Sequence, residues 1–298
     1  RGALDLISHA LLHPGDVGWF EEPGYPLARR YLEHMGMRLK PVPVDEDGLD
    51  VAAGMRRVND ARFAVVTPTH QSPLGVALSL PRRLELLQWA GRQQAWIVED
   101  DYDSEFRYHG RPLPALKSLD RDGRVLYTGT FSKVLFPGLR LAYLVVPEGE
   151  VERFQGIVHQ LAGACPILHQ RTVAEFMEQG HFSRHLRKMR ALYAERRECL
   201  TSALTKVFDT RLHIQPQAGG IHVLAHLGVG QDDRAYAVAA RKRGLAVEPL
   251  CEWQMTKKSR SGLLMGFTNV ADARQAQTLA DRLSRAFDDV AAARTEDA

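Results

Sequence analysis

The chain has 298 residues, of which 45% are hydrophobic and 25% are charged, the usual balance of a globular protein. This composition excludes intrinsic disorder and a fibrous repeat, and the length indicates one large or two modest domains. The formal net charge of +3 is too small to indicate nucleic-acid binding by this chain alone. The longest apolar runs, such as residues 141–147, are too short to span a bilayer, so no membrane segment is expected.

Three cysteines, Cys165, Cys199 and Cys251, lie far apart and show no CxxC spacing. This usage predicts neither a disulfide framework nor a zinc site and favours a reducing cytoplasm. The pattern over Ala3–Leu12 is already that of an amphipathic helix, with no initiator methionine and no apolar signal segment before it. We therefore expect the chain to be part of a longer polypeptide, with sequence before Arg1.

Short apolar runs alternate with helical patterns over the first half of the chain. Predicted strands cover Val17–Phe20, Arg62–Val66, Ala95–Val98, Val125–Tyr127 and Leu141–Val146, and predicted helices cover Leu27–Met35 and residues 81–92. Strand, helix and strand at this spacing predict βαβ units and hence an α/β fold with a mainly parallel sheet.

The pattern changes after Pro147. Helices are predicted over Val151–Leu161, Arg171–Gln179, Phe182–Lys206, Asp232–Arg243 and Asp272–Phe287, and strands over Gly220–Leu227, Gly244–Pro249 and Gly262–Phe267. The mixture predicts a large domain over residues 1–200 and a smaller α+β domain over residues 201–298. The charged, alanine-rich tail at 288–298 is expected to fray.

Two segments that follow predicted strands carry the candidate chemistry. One is Val98–Tyr102, with the sequence VEDDY, and the other is Tyr127–Lys133, with the sequence YTGTFSK. Arg140 stands seven residues after Lys133. Because the carboxyl ends of parallel strands form the ligand-binding edge of an α/β sheet, we expect both segments to lie at that edge.

Lys133 stands in a turn of small hydroxylated residues, where its amine could form a Schiff base with an aldehyde cofactor. Thr130 and Ser132 could donate hydroxyl hydrogen bonds to a phosphate, and Arg140 could add a planar guanidinium fork. A single lysine is usually a solvated surface residue. The combination of an amine with three phosphate ligands is what indicates a site.

Asp100 and Tyr102 fall on the same side of an extended strand, and Glu99 and Asp101 fall on the opposite side. Asp100 could hold a pyridine nitrogen protonated, with Asp101 as the alternative, and the Tyr102 phenol could hydrogen-bond a ring oxygen. An aldehyde, a phosphate, a pyridine nitrogen and a phenolic oxygen together describe pyridoxal 5'-phosphate (PLP).

The motifs at Glu99–Tyr108 (EDDYDSEFRY), Thr67–Gly75 (TPTHQSPLG), Gly129–Lys133 (GTFSK) and Glu22–Pro26 (EPGYP) resemble those of one protein family. That family is the aminotransferase-like effector domain of MocR/GabR-type transcription regulators, in the GntR superfamily. The resemblance covers essentially the whole chain. It implies a fold-type I PLP-dependent aminotransferase-like fold, with helices on both faces of the sheet and a smaller C-terminal α+β domain.

The resemblance also assigns roles to single residues. It implies Lys133 as the Schiff-base lysine, Asp100 as the partner of the ring nitrogen, Tyr102 near the ring oxygen, Thr130, Ser132 and Arg140 around the phosphate, Tyr25 on the effector side of the ring, and His70 with Gln71 on the loop that faces the cofactor. It places a phosphate-binding turn and a winged helix-turn-helix DNA-binding domain before Arg1, outside this chain.

Two departures from the family pattern bear on catalysis. Ser72 stands where many fold-type I enzymes carry an asparagine that touches the ring oxygen. Leu264 stands where many carry an arginine that binds the substrate α-carboxylate, and Arg260 is the nearest charged alternative in sequence. No metal site is expected at His181 and His185, although their i,i+4 spacing would place both on one helix face.

Two functions remain open at this point. The first is an effector sensor, in which an amino acid or amine forms an external aldimine with PLP and controls the DNA-binding domain of a cytoplasmic, homodimeric regulator. The alternative is a PLP-dependent aminotransferase that acts on an amino acid. A remnant without cofactor is disfavoured by the intact Lys133, Asp100 and Tyr102.

Overall fold

The computed structural model describes residues 2–161, 167–256 and 260–296. The chain divides into two compact units. The first comprises Arg1–Glu105 and Arg111–Leu186, and the second comprises Phe106–Gly110 and Arg187–Ala298. Cys199 is half-buried and Cys251 is buried, and neither forms a disulfide with another described cysteine, while Cys165 lies outside the described residues.

The first unit alternates strands and helices. Its strands are β1 (Val17–Glu22), β2 (Arg38–Asp45), β3 (Gly48–Leu49), β4 (Phe63–Val66), β5 (Trp96–Asp101), β6 (Val125–Thr130) and β7 (Ala142–Val145). Its helices are α1 (Gly2–Leu11), α2 (Pro26–His34), α3 (Val51–Arg57), α4 (Leu80–Gln93), α5 (Phe131–Val134), α6 (Val151–Leu161) and α7 (Ile167–Glu178), and α8 (His181–Phe208) continues into the second unit.

The strands of the first unit form one seven-stranded sheet in the order β3-β2-β1-β4-β5-β6-β7. The five strands β2, β1, β4, β5 and β6 run parallel, and the short β3 and the outer β7 are antiparallel to their neighbours. The predicted α/β fold with a mainly parallel sheet is confirmed. The carboxyl ends of the parallel strands share one edge, and the antiparallel β7 begins at that edge.

The pattern analysis did not predict β2, because Pro41 and Pro43 interrupt it. Both prolines are tolerated because their backbone polar groups face away from β1. The Pro43 carbonyl accepts a hydrogen bond from the Asp50 N–H at 2.8 Å, and the Pro41 carbonyl accepts one from the Arg57 guanidinium. Since β3 pairs only with Val44 and Asp45, no neighbouring strand requires the N–H that the prolines lack.

Two stacked indoles anchor the core of the first unit. The rings of Trp19 on β1 and Trp89 on α4 lie 3.8 Å apart at an interplanar angle of 18°. Each indole N–H donates to a backbone carbonyl after α3, at Val58 (2.8 Å) and Asn59 (2.9 Å). The core thus satisfies its buried donors while it fixes α3 and α4 to the sheet.

The second unit is a four-stranded antiparallel sheet in the order β10-β11-β9-β8. Its strands are β8 (His213–Ile214), β9 (His222–His226), β10 (Val247–Pro249) and β11 (Gly262–Gly266), and its further helices are α9 (Asp233–Lys242) and α10 (Ala273–Glu296). Phe208 and Tyr236 pack against Phe287 of α10, with ring centroids 4.8 and 4.2 Å apart.

The tail at 288–298 was expected to fray, but its residues up to Glu296 belong to α10. Val290 is buried in the core of the second unit, and Arg243 binds both carboxylate oxygens of Asp289 at 2.6 Å. In the part of the chain that the structure describes, each helix is too short or too polar to cross a membrane.

We expect Gly18→Ala to destabilise the protein by about 1–3 kcal/mol, the usual cost of overpacking a filled core. Gly18 lies on β1 directly beside Phe63, and an added Cβ would overlap the Phe63 ring. The matched control is Gly156→Ala on α6, where an added Cβ meets nothing within 4 Å and should stabilise the helix by about 0.5–1 kcal/mol. Urea unfolding measures both, and equal midpoints for the two variants would contradict this account of the core.

Candidate functional site

The carboxyl ends of β1, β4, β5 and β6 bring the sequence motifs to one edge of the sheet. Asp100 and Asp101 pair in register with Thr128 and Gly129 of β6. On the other side of β6, Thr130 pairs with Ala142 at the start of β7. The acidic motif, the lysine turn and the segment after Arg140 are therefore neighbours because of the strand order.

The environments of the two candidate aspartates differ. Asp101 accepts hydrogen bonds from the Tyr127 hydroxyl at 2.7 Å, from the Ser104 hydroxyl at 2.7 Å and from the Ser104 N–H. Asp100 accepts one from the Thr128 hydroxyl at 3.1 Å. Burial raises the pKa of Asp100, and the Thr128 hydrogen bond opposes that rise. Asp100 therefore retains acceptor capacity for a protonated ring nitrogen, whereas protein donors already occupy Asp101.

The lysine turn leaves two cations available at this edge. Thr130 caps α5, because its hydroxyl oxygen accepts a hydrogen bond from the Ser132 N–H at 3.2 Å. Its hydroxyl proton remains free to donate, as the phosphate role requires. Lys133 and Arg140 are both exposed, and neither side chain makes a hydrogen bond or ion pair with the residues that the structure describes.

Arg140 also has an unusual backbone conformation, with φ at 51° in the left-handed region. A non-glycine residue is uncommon there, and such a conformation persists only where the surrounding structure imposes it. It falls between the Pro137–Leu139 turn and β7. This strained residue lies where the sequence predicts a phosphate ligand.

Tyr102 follows β5 and is half-buried. Its hydroxyl lies 3.0 Å from Nδ1 of His70, and the same nitrogen lies 3.1 Å from both carboxylate oxygens of Asp103. Burial raises the pKa of Tyr102 well above its usual value, and the negative charge of Asp103 adds to the rise. The phenol is thereby held in its protonated form, in which it can donate to a ring oxygen.

A buried network around Glu21 fixes two loops at this edge. Glu21, at the end of β1, accepts hydrogen bonds from the Thr67 N–H (3.1 Å), the Thr67 hydroxyl (2.6 Å) and the Gln71 amide (3.0 Å). The Gln71 amide also donates to the Pro23 carbonyl at 2.9 Å, in the turn that carries Tyr25. Burial raises the pKa of Glu21 to about 7, against the lowering effect of these donors.

Sequence reasoning missed Asp103 and Glu21. Asp103 stood in a recognised motif without a role, and Glu21 lay beside one. Their partners lie 33 and 46 residues away along the chain, and no local spacing indicates such pairs. The predicted site residue Tyr25 lies in the turn that Gln71 holds through the Pro23 carbonyl, and 37% of its surface is exposed.

The described residues fit PLP. This cofactor needs a carboxylate for its ring nitrogen, a protonated phenol for its ring oxygen, an amine for its aldehyde and a cation for its phosphate. Asp100, Tyr102, Lys133 and Arg140 supply these groups at one sheet edge, and neither of the two cations has a partner among the described residues.

We expect Glu21→Gln to weaken the pH dependence of stability. Because the folded-state pKa of Glu21 is raised from 4.5 to about 7, Glu21 contributes to the free energy of unfolding fully below pH 4.5. This contribution is lost as the pH rises through 7. The loss amounts to about 3 kcal/mol, an order-of-magnitude figure. Urea unfolding at pH 5 and pH 8 measures it, with the surface variant Glu33→Gln as control. An unchanged slope in Glu21→Gln would refute the assignment, and Glu99, also raised to about 7, would then carry the effect.

The chain is similar to a known protein family and to transcription regulators over most of its length. The aminotransferase class I and II family profile matches residues 1–260. The chain is 37% identical over 91% of its length to the probable rhizopine catabolism regulatory protein MocR of Rhizobium meliloti, of which it covers 54%. It is 34% identical over 90% of its length to the HTH-type pyridoxine biosynthesis transcriptional regulator PdxR of Corynebacterium glutamicum, of which it covers 57%. The chain thus spans about half the length of these regulators.

Enzymes are also among the relatives. Aromatic-amino-acid aminotransferase 1 of Thermococcus litoralis is 28% identical over 91% of this chain and 66% of that enzyme. Among solved structures, LysN, the α-aminoadipate aminotransferase of Thermus thermophilus complexed with N-(5'-phosphopyridoxyl)-L-leucine, is 29% identical. Its TM-score is 0.86, with 97% of this chain and 75% of LysN covered.

A second solved structure is Pyrococcus horikoshii kynurenine aminotransferase in complex with PMP, with a TM-score of 0.85 and 27% identity over 95% of this chain and 73% of that enzyme. These matches confirm the fold-type I fold, the resemblance to MocR-type regulators and PLP as the cofactor. The chain belongs to the aminotransferase class I and II family.

Proposed function

We propose that the chain is the PLP-binding, effector-sensing domain of a MocR/GabR-like transcription regulator. The observation that carries the proposal is the pair of regulators at 34–37% identity, of which this chain covers 54–57%. In such a protein, an N-terminal winged helix-turn-helix domain binds DNA, and the large domain predicted over residues 1–200 holds the cofactor.

Each site residue has a defined task in this proposal. When bound, PLP supplies an electrophilic aldehyde on an electron-accepting ring. Lys133 presents its amine to the aldehyde, and Asp100 uses its remaining acceptor capacity to hold the ring nitrogen protonated. Thr130, Ser132 and Arg140 bind the phosphate, whose negative charge offers Arg140 the ionic partner that it lacks among the described residues.

The loops fixed by Glu21 form the effector side. Gln71 links the Tyr25 turn to the Thr67–Gly75 loop, which would place both loops beside an effector at the aldehyde. Release of the Lys133 amine would then favour one of two domain arrangements. Only a difference in effector affinity between those arrangements shifts their equilibrium and so transmits the signal.

A homodimer in the cytoplasm completes the proposal. The edge strand β7 and the helices after it leave apolar side chains in solvent, among them Tyr143, Val145, Val158, Ile167 and Leu168. Exposed apolar side chains on this strand and on the helices after it support self-association of the first unit.

We expect PLP to give the protein a visible absorbance band that Lys133→Ala abolishes, leaving at most non-covalently held cofactor. The reason is that the Lys133 amine is the group that condenses with the aldehyde. Lys188→Ala, an exposed lysine of α8, is the matched control and should keep the band. A full-strength band in Lys133→Ala, measured by absorbance after dialysis, would refute the assignment.

The alternative is a genuine aminotransferase, which the identity to the Thermococcus litoralis enzyme favours. Catalysis of transamination relies on a fixed substrate orientation, to which a carboxylate–arginine fork contributes. Leu264 is buried on β11 at the position that the resemblance assigns to that arginine. A lost charge-assisted hydrogen bond is worth about 1.5–3 kcal/mol, roughly a ten- to hundredfold loss of occupancy.

We therefore expect amino compounds to change the spectrum of the cofactor-loaded protein without sustained release of keto acid. Stopped-flow absorbance with a panel of amino acids and amines measures the first step, and a coupled keto-acid assay measures turnover. Multiple turnovers at tens per second would overturn the sensor function and establish the aminotransferase. A spectral response limited to one equivalent would support sensing.

A further inference from the structure

Asp103 and His70 form a buried pair next to Tyr102 that no role assigned above uses. His70 is 6% exposed and Asp103 is 1% exposed. Nδ1 of His70 lies 3.1 Å from each carboxylate oxygen of Asp103 and 3.0 Å from the Tyr102 hydroxyl. One ring nitrogen therefore faces both an aspartate and a phenol.

The chemistry of the carboxylate decides which atom carries the proton. A carboxylate can only accept hydrogen bonds, so the proton between Asp103 and His70 belongs to Nδ1. An Nδ1–H shared between Asp103 and Tyr102 is a donor to both, and the Tyr102 hydroxyl cannot donate back to it. A carboxylate that fixes the tautomer of a neighbouring histidine is a common arrangement in functional sites.

The charged groups that act on Tyr102 keep its hydroxyl protonated. Asp103, Asp100 and Glu21 are acidic and favour the protonated phenol. Because the Nδ1–H of His70 donates to the phenol oxygen, the proton of Tyr102 is directed to a second partner.

We propose that Asp103 is a positioning residue: it fixes His70 as a donor and thereby makes Tyr102 donate its proton to the ring oxygen of the cofactor. This inference rests on the proposed function, because it needs PLP at this site.

The arrangement has a measurable consequence for the bound cofactor. A proton donated to the ring oxygen withdraws the negative charge that would otherwise stabilise a protonated nitrogen beside it. Tyr102 therefore lowers the pH midpoint at which the visible band of the bound cofactor changes. Loss of its donation should raise that midpoint by about one pH unit, the effect of one hydrogen bond.

A double-mutant cycle tests the proposal on the full chain loaded with PLP. Asp103→Asn lets Nδ1 of His70 accept the proton of Tyr102, so the pH midpoint of the visible band should rise by about one unit. In Tyr102→Phe the midpoint should rise at least as far. When Tyr102→Phe is already present, adding Asp103→Asn should shift the pH midpoint by less than half of the shift that Asp103→Asn causes alone. A larger addition, or no shift in Asp103→Asn alone, would overturn the proposal.

A control and a second measurement separate this inference from other failures. Asp120→Asn changes another aspartate with protein donors, all of them within residues 117–125, and should leave the midpoint unchanged. NMR of the His70 ring nitrogens in the cofactor-free wild-type protein shows directly which nitrogen carries the proton. This measurement needs no variant, so it remains decisive if Asp103→Asn does not fold. A protonated Nδ1 supports the pairing, and an unprotonated Nδ1 rejects it. Absence of any visible band with wild-type protein and PLP would instead reject the proposed function.

Discussion

The structure of this sheet edge depends on the cost of burying carboxyl groups. Glu21, Glu99, Asp101 and Asp103 are all buried at the ends of β1 and β5 or directly after them. A buried carboxyl is tolerated only where donors compensate for the lost water. Apart from the Tyr127 hydroxyl on β6, the donors described above lie outside the sheet, so each carboxyl fixes a neighbouring loop. The shape of the site therefore follows from where the sequence places its acidic residues.

The same rule identifies the group that is left for a ligand. Asp101 has three donors from the protein and Glu99 has two backbone N–H groups, whereas Asp100 has the Thr128 hydroxyl. Tyr102 shows the complementary case, because the His70 Nδ1–H donates to its oxygen and leaves the phenol proton available. One acceptor and one donor thus remain open at the end of the same strand, two residues apart. A planar ring with a basic nitrogen and an oxygen acceptor matches that pair.

The fold was predictable to the extent that it follows from local apolar patterns. The pattern predicts strands over Arg62–Val66 and Val125–Tyr127 because each is a short apolar run between polar turns, and β4 and β6 lie there. It does not predict β2, because Pro41 and Pro43 argue against a strand until the pairing of β3 is known. In the site, the motifs located Lys133 and Asp100. Buried pairs such as His70 with Asp103 arise from strand order, which a linear pattern does not encode.

The residues that hold a cofactor do not by themselves separate a sensor from an enzyme. Exchange of one amine for another at an aldehyde needs an accessible lysine and a protonated ring nitrogen, and Lys133 with Asp100 meets that need. Transamination needs in addition a substrate held in one orientation while a proton moves. At the position that the resemblance assigns to a carboxylate-binding arginine, this chain carries Leu264, which has no charge to align a carboxylate. These requirements support the proposal of a sensor over that of an aminotransferase.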